Sequence, residues 1–98
     1  MDVSLRQLQV FRAVARHRSF SRAAEELVIS QPAVSAQIKA LEQVLHVPLF
    51  QRTSRGVELT EAGRQLLPYA ERMLDLLEEV ITAVHELRAA QRGHVRVA

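Results

Sequence analysis

Two short stretches carry side chains whose types and spacing suit binding to a polyanion. Pro32, Ser35, Ala36, Lys39 and Gln43 recur at helical spacing and would share one face of a helix. That face is small and uncharged at its N-terminal end and carries a cation further along, so it could enter the major groove of DNA, N-terminal end first. An ordinary helical hairpin with a solvated outer face satisfies this pattern as well. The second stretch, Arg52-Thr53-Ser54-Arg55-Gly56, offers two guanidinium groups and two hydroxyls around a glycine. Such a composition suits phosphates or a narrow minor groove, although a solvated turn with incidental arginines would read the same way. Side chains for catalysis are poorly arranged. His17, His46, His85 and His94 are scattered without ligand spacing, and the chain has no cysteine. Glu78 and Glu79 are adjacent, so they point to different helix faces. No glycine-rich phosphate loop is present.

The elements that must position these residues follow from periodicity. Ser19 to Leu45 reads as two amphipathic helices joined by a tight turn. The first carries Phe20, Ala24 and Leu27 on its apolar side, and the second carries Val34, Ile38, Leu41 and Leu45. Ser30 is placed to cap the second helix, and Pro32 falls in its first turn, where a missing donor costs little. An earlier helix should start at Ser4, which has capping-box spacing with Gln7, and end near His17-Arg18. Leu5, Leu8, Phe11 and Ala15 form its expected inner stripe, widened by Val10 and Val14. After Pro48, Leu49–Arg52 and Val57–Leu59 read as two strands around a turn in which Gly56 can take positive φ. Two strands are marginal alone. A hairpin placed directly after a helix-turn-helix is a wing, and this position favours the DNA reading.

Thr60 is a candidate N-cap for the longest element, with Glu61 at the positive end of the helix dipole. Leu66, Ala70, Met73, Leu77, Val80, Val84 and Leu87 follow in strict steps of four and three, a heptad seam, with Leu67, Leu74 and Ile81 beside it. Pro68 should kink this helix or loosen one turn. A helix from Glu61 to Gln91 would be roughly 46 Å long at 1.5 Å per residue, more than a small winged core can cover. A second copy of the chain is the simplest cover, and a further domain packed on the helix is the alternative. The final residues, Gly93 to Ala98, switch to strict alternation after a helix-ending glycine and look like the opening strand of another domain. We therefore expect a longer protein.

Composition sets the limits. Ninety-eight residues, 48% of them hydrophobic, make one domain at most. No apolar run approaches the roughly 20 residues needed to span a bilayer, and MDVSLRQLQ is not a signal peptide, so a cytoplasmic protein with no membrane partner is expected. Residues 1–56 hold eight cations and four acids, a net of +4, while residues 57–98 hold five cations and seven acids, a net of −2. The basic half suits a polyanion and the acidic half does not.

The motifs LRQLQVFRAVA, SFSRAAEELVISQPAVSAQIKALE, VPLFQRTSRGVELTEAG and LLPYAERML together resemble the N-terminal part of LysR-type transcriptional regulators, over nearly every residue. The resemblance implies a mainly α fold: a winged helix-turn-helix of three helices plus a two-stranded wing over residues 1–59, then a linker and dimerisation helix over 60–92. Residues 93–98 would open a C-terminal effector-binding domain. It further implies double-stranded DNA as partner, with imperfect inverted repeats read by a homodimer through recognition helix 31–45 and wing 49–59. Full-length members are tetramers switched by small metabolites, so no cofactor is expected within these residues. Carried over by position, Gln31, Pro32, Ala33 and Ser35 would approach base edges, and Ser21, Lys39 and Arg52 would lie near the backbone. Arg55 would enter the minor groove, and the seam from Leu66 to Leu87 would pair two chains. Three departures stand out. Ala36 replaces a longer side chain that reads the groove in many members, which removes a contact worth about 1–3 kcal/mol of discrimination. His46 and Arg18 replace frequent glycines at helix ends, so a non-glycine residue would have to adopt a left-handed conformation there. A purely structural helical dimerisation module is the remaining rival. It accounts for residues 60–91 but not for the Ser30 cap, the small-residue face or the arginine wing.

Overall fold

The computed structural model describes residues 2–93, with side chains to Gln91; the expected strand over 93–98 lies outside the described residues except for Gly93. The order is α1 (Leu5–His17), α2 (Phe20–Leu27), α3 (Gln31–Leu45), β1 (Phe50–Thr53), β2 (Gly56–Leu59) and α4 (Glu61–Gly93).

Helix starts are set by short side chains one turn from the amides they serve. Ser4 and Gln7 form the capping box, with Gln7 N–H donating to Ser4 Oγ at 3.1 Å and Ser4 N–H donating to Gln7 Oε1 at 3.0 Å. Ser19 accepts from Arg22 N–H, and Ser30 accepts from Ala33 N–H at 3.2 Å. Thr60 Oγ1 accepts from Gly63 N–H at 3.1 Å and donates to the Pro48 carbonyl at 2.7 Å, so the cap of α4 also fixes the chain entering the wing. Helix ends are less ordinary. Arg18, Val28 and His46 all adopt left-handed backbone, with φ of 55°, 57° and 60°. The first and last stand where the resemblance flagged a missing glycine. Val28 was not anticipated, because a β-branched side chain is among the least suited to positive φ.

The core is formed by Leu8, Val10, Phe11, Ala13 and Val14 of α1, Ala23 and Ala24 of α2, Val34, Ile38 and Leu41 of α3, Leu49, Val57, and Ala70 and Leu74 of α4. Leu5 and Ala15, expected in the inner stripe, are exposed and half-buried respectively, while Val10 and Val14 widen the buried arc as expected and Ala13 joins them. The reason is that α1 touches α2, α3 and α4, so it buries more than the single stripe of a surface helix. The wing is antiparallel, with Phe50 opposite Leu59 and Thr53 opposite Gly56. Its first strand is shifted by one residue from expectation and its second starts one residue earlier. Leu49 leaves the ladder to become a core residue, and Gly56 joins it at φ 107°. The wing is held to the helices by Phe50, whose ring centroid lies 5.4 Å from that of Phe11 and 6.0 Å from that of Phe20.

From Glu61, α4 runs for 33 residues and gives the molecule a long axis of 60 Å. The helix continues through Pro68. Pro68 lies on the exposed side, where solvent can serve the carbonyl that loses its donor. At its start α4 approaches the wing so closely that only glycine fits at position 63. A Cβ there would come within 2.3 Å of the Leu49 carbonyl oxygen and 2.7 Å of a Leu59 methyl.

Candidate nucleic-acid interface

Alternation along α3 separates the face that packs from the face that reads. Val34, Ile38 and Leu41 are buried, while Gln31, Pro32, Ser35, Ala36, Lys39 and Gln43 are exposed. Ala33 is half-buried, beneath the outermost face. The N-terminal turn of α3 is also tied to α2, since Ser21 Oγ donates to Gln31 Oε1 at 3.1 Å. The two residues were assigned separately to backbone and base positions, and the structure joins them. That bond orients the Gln31 amide at the start of α3.

The wing stands beside this face. Ser35, Lys39, Gln51 and Arg52 line one groove with Phe20, Ile38, Phe50 and Val57, so the cations of α3 and β1 share one concavity with the reading face. At the tip, Arg55 N–H donates to Thr53 Oγ1 at 3.1 Å, and that hydroxyl donates to the Gly56 carbonyl at 3.4 Å. Ser54 and Arg55 form a two-residue loop, and Gly56 takes the positive φ that lets the chain return. Arg55 is thereby presented outward from a braced turn.

Charge is sorted in a way the sequence could not display. Among the described residues, Arg12 pairs with Asp75 at 3.8 Å, His17 meets Glu26 at 2.6 Å, and Arg18 meets Glu58 at 2.8 Å. Lys39, Arg52 and Arg55 have no such carboxylate within the same set and are exposed. Arg12 and Arg18 are therefore engaged within the fold, whereas Lys39, Arg52 and Arg55, flanking α3 and the wing, are open to an external anion.

One residue of the site escaped sequence reasoning. Glu42, inside α3, turns its carboxylate to the wing and accepts from Leu49 N–H at 2.7 Å and Phe50 N–H at 3.4 Å. Its own carbonyl meanwhile accepts from the amides of His46 and Val47 at the end of α3. Glu42 thus sets the wing at a fixed distance from the reading helix. The only prior signal was a single acid within the reading helix.

The expected pairing seam is redistributed. Ala70 is fully buried in the chain's own core, Leu66 packs against that core, and Leu77 is half-buried. Met73, Val80, Val84 and Leu87 are exposed as expected, and Tyr69, Leu76 and Ile81 join them. No helix among the described residues is long and apolar enough to cross a membrane, and no group of three acids or histidines there could hold a metal ion.

Three helices, a wing against the third, and exposed cations on their common face define a winged helix-turn-helix DNA-binding domain. Residues 5–64 match the family described as bacterial regulatory helix-turn-helix protein, lysR family. The chain belongs to that family. It is 49% identical over 98 residues to the RuBisCO operon transcriptional regulator of Allochromatium vinosum, a match covering 100% of this chain and 32% of that protein. The chain thus spans about a third of that relative's length. The fold is similar to the BenM DNA-binding domain in complex with catB site 1 DNA, at a TM-score of 0.84 and 34% identity, covering 89% of this chain and 98% of that one. It is also similar to the DNA-binding domain of CbnR in its DNA complex, at a TM-score of 0.77 and 40% identity, covering 91% and 99%. Family and relative are regulators of transcription, which sets the enzyme reading aside.

Proposed function

We propose that two copies of this chain bind an imperfect inverted repeat in promoter DNA, each entering a major groove with α3. The observation that carries the reading is the exposed, small-residue N-terminal face of α3 beside a wing whose arginines have no carboxylate partner among the described residues. Gln31, Pro32, Ala33 and Ser35 approach base edges; Ser21, Lys39 and Arg52 meet the backbone; Arg55 enters the flanking minor groove. A single recognition helix reads too few base pairs to find a site in a genome, and two-fold pairing through α4 supplies the second half-site. In the full-length regulator a C-terminal domain binds a small metabolite and completes a tetramer in the cytoplasm. Because a relative is named a RuBisCO operon regulator, promoters of that operon are the first DNA to footprint.

The test separates reading from positioning. Ser35→Ala should alter preference among half-site variants. Lys39→Ala should weaken all sequences alike and flatten the salt slope by about one unit. A Lys39→Ala protein with changed base preference and an unaltered salt slope would overturn the docking.

A further inference from the structure

One carboxylate stands among the arginines of the wing. Between Pro48 and Thr60 the chain holds Arg52, Arg55 and a single acid, Glu58. Glu58 lies on β2 opposite Gln51. It lines a groove between the wing, the end of α1 and the start of α4, together with Arg18, Arg55 and Arg64. The three guanidinium groups are engaged differently. Arg18 Nη2 donates to Glu58 Oε2 at 2.8 Å, and Arg64 Nη1 donates to the Leu59 carbonyl at 3.0 Å. Arg55 meets no carboxylate among the described residues. We propose that Arg18 keeps Arg55 open to DNA by occupying the wing's one carboxylate. Arg18 is then a positioning residue that acts through Glu58. The inference rests on the minor-groove reading of Arg55 above and names the residue that protects it.

The backbone of Arg18 brings this contact about. At the end of α1 it turns left-handed, with φ of 55°. Its carbonyl oxygen lies 3.8 Å from where a Cβ on Gly56 would stand, so this corner abuts the turn of the wing. From there the side chain crosses to a residue 40 positions further along the chain. An arginine at such a corner bears a conformational cost that glycine avoids. Its side chain is 53% exposed, so packing offsets little of that cost.

A Glu58 carboxylate without Arg18 would act on the wing in two ways. It would draw the Arg55 guanidinium back along the groove they share, and its charge would oppose approaching phosphates. Arg52 is set apart from this competition, because it lines the other groove of the wing with Lys39.

The experiment is a double-mutant cycle, read by fluorescence anisotropy on duplexes with A·T-rich or G·C-rich flanks. Low salt is used, where exposed charges act most strongly. Glycine accepts positive φ at position 18, so Arg18→Gly keeps the fold. This variant should bind A·T-rich flanks about three- to fivefold more weakly and G·C-rich flanks nearly as before. Glu58→Gln breaks the same bond, yet should bind at least as tightly as the original chain. Combining the two substitutions should restore the original affinity, and Arg18→Gly should cost nothing further in an Arg55→Ala chain. Equal losses for Arg18→Gly and Glu58→Gln would make the bond a structural tie and overturn the proposal. A loss that persists in the Glu58→Gln and Arg55→Ala backgrounds would make Arg18 a direct phosphate contact and overturn it as well. An Arg18→Gly chain that binds undiminished while Arg55→Ala does not would overturn the inference alone. An Arg55→Ala chain that binds A·T-rich flanks undiminished would overturn the minor-groove reading and the inference together.

Discussion

Removing the Glu42 carboxylate should loosen the wing from the reading helix without touching any residue that faces DNA. Glu42 accepts the Leu49 amide at 2.7 Å, and Leu49 is 1% exposed, so the lost acceptor leaves that amide poorly placed to find another partner. A hydrogen bond to a charged group contributes about 1.5–3 kcal/mol, and a buried donor left unpaired costs about 1–3 kcal/mol. These overlap as descriptions of one event, so Glu42→Ala should lose about 2–3 kcal/mol. For a domain of this size that lowers Tm by about 10–20 °C. Glu42→Gln keeps an acceptor in place but not its charge, and should lose only about 1 kcal/mol. Urea titration gives both values, and amide hydrogen exchange locates them: Leu49 should exchange faster in Glu42→Ala before the midpoint of α1 does. DNA affinity should fall in the same order, since a displaced wing no longer aligns Arg52 and Arg55 with α3. A Glu42→Ala loss below about 0.5 kcal/mol, or equal losses for the two variants, would refute the argument. Either result would mean that solvent already serves the Leu49 amide.

Three further outcomes follow from single positions. Val28 is 88% exposed at φ 57°, where its branched side chain gains little packing and pays for the conformation; Val28→Gly should raise stability by about 1 kcal/mol and Tm by about 4–8 °C in calorimetry, and a lower Tm would show that the left-handed geometry carries no strain. Gly63→Ala places a methyl 2.3 Å from the Leu49 carbonyl, so the wing and α4 must separate, at a cost of about 2 kcal/mol or more by denaturant titration; a neutral effect would contradict that close approach. Arg55→Ala should lose affinity mainly for sites with A·T-rich flanks, where a narrow minor groove concentrates negative potential, and equal losses on G·C-rich flanks would reduce Arg55 to a phosphate contact.

Which of these features can be read from sequence depends on how far apart the interacting atoms lie along the chain. The caps at Ser4, Ser30 and Thr60 are legible because each joins a side chain to an amide three residues on. The buried face of α3 is legible because helical period fixes it once Val34, Ile38 and Leu41 are seen. Glu42 with Leu49, Arg18 with Glu58, and the Phe11–Phe50–Phe20 cluster join separate elements. Periodicity says which way a side chain points but not what it meets. The one-residue shift of the wing has the same origin. Leu49 is a strand-like residue by type, yet the Glu42 carboxylate and the core claim it before the ladder begins at Phe50.

The helix α4 carries that point into function. Its apolar residues contain two heptad-like alternations, one through Leu66 and Ala70 and one through Tyr69, Met73 and Leu76. From sequence they are equivalent, since each keeps steps of four and three. What separates them is that α1 lies against the first, where Ala70 is small enough for the two helices to approach, and the Arg12–Asp75 pair fixes that side. A stripe that a helix spends on its own domain is not open to a partner. The stripe claimed by the core decides, by exclusion, which stripe remains for a partner. A substitution at Ala70 should therefore act on the domain's own packing first, whereas one at Leu76 should act on assembly with the fold intact.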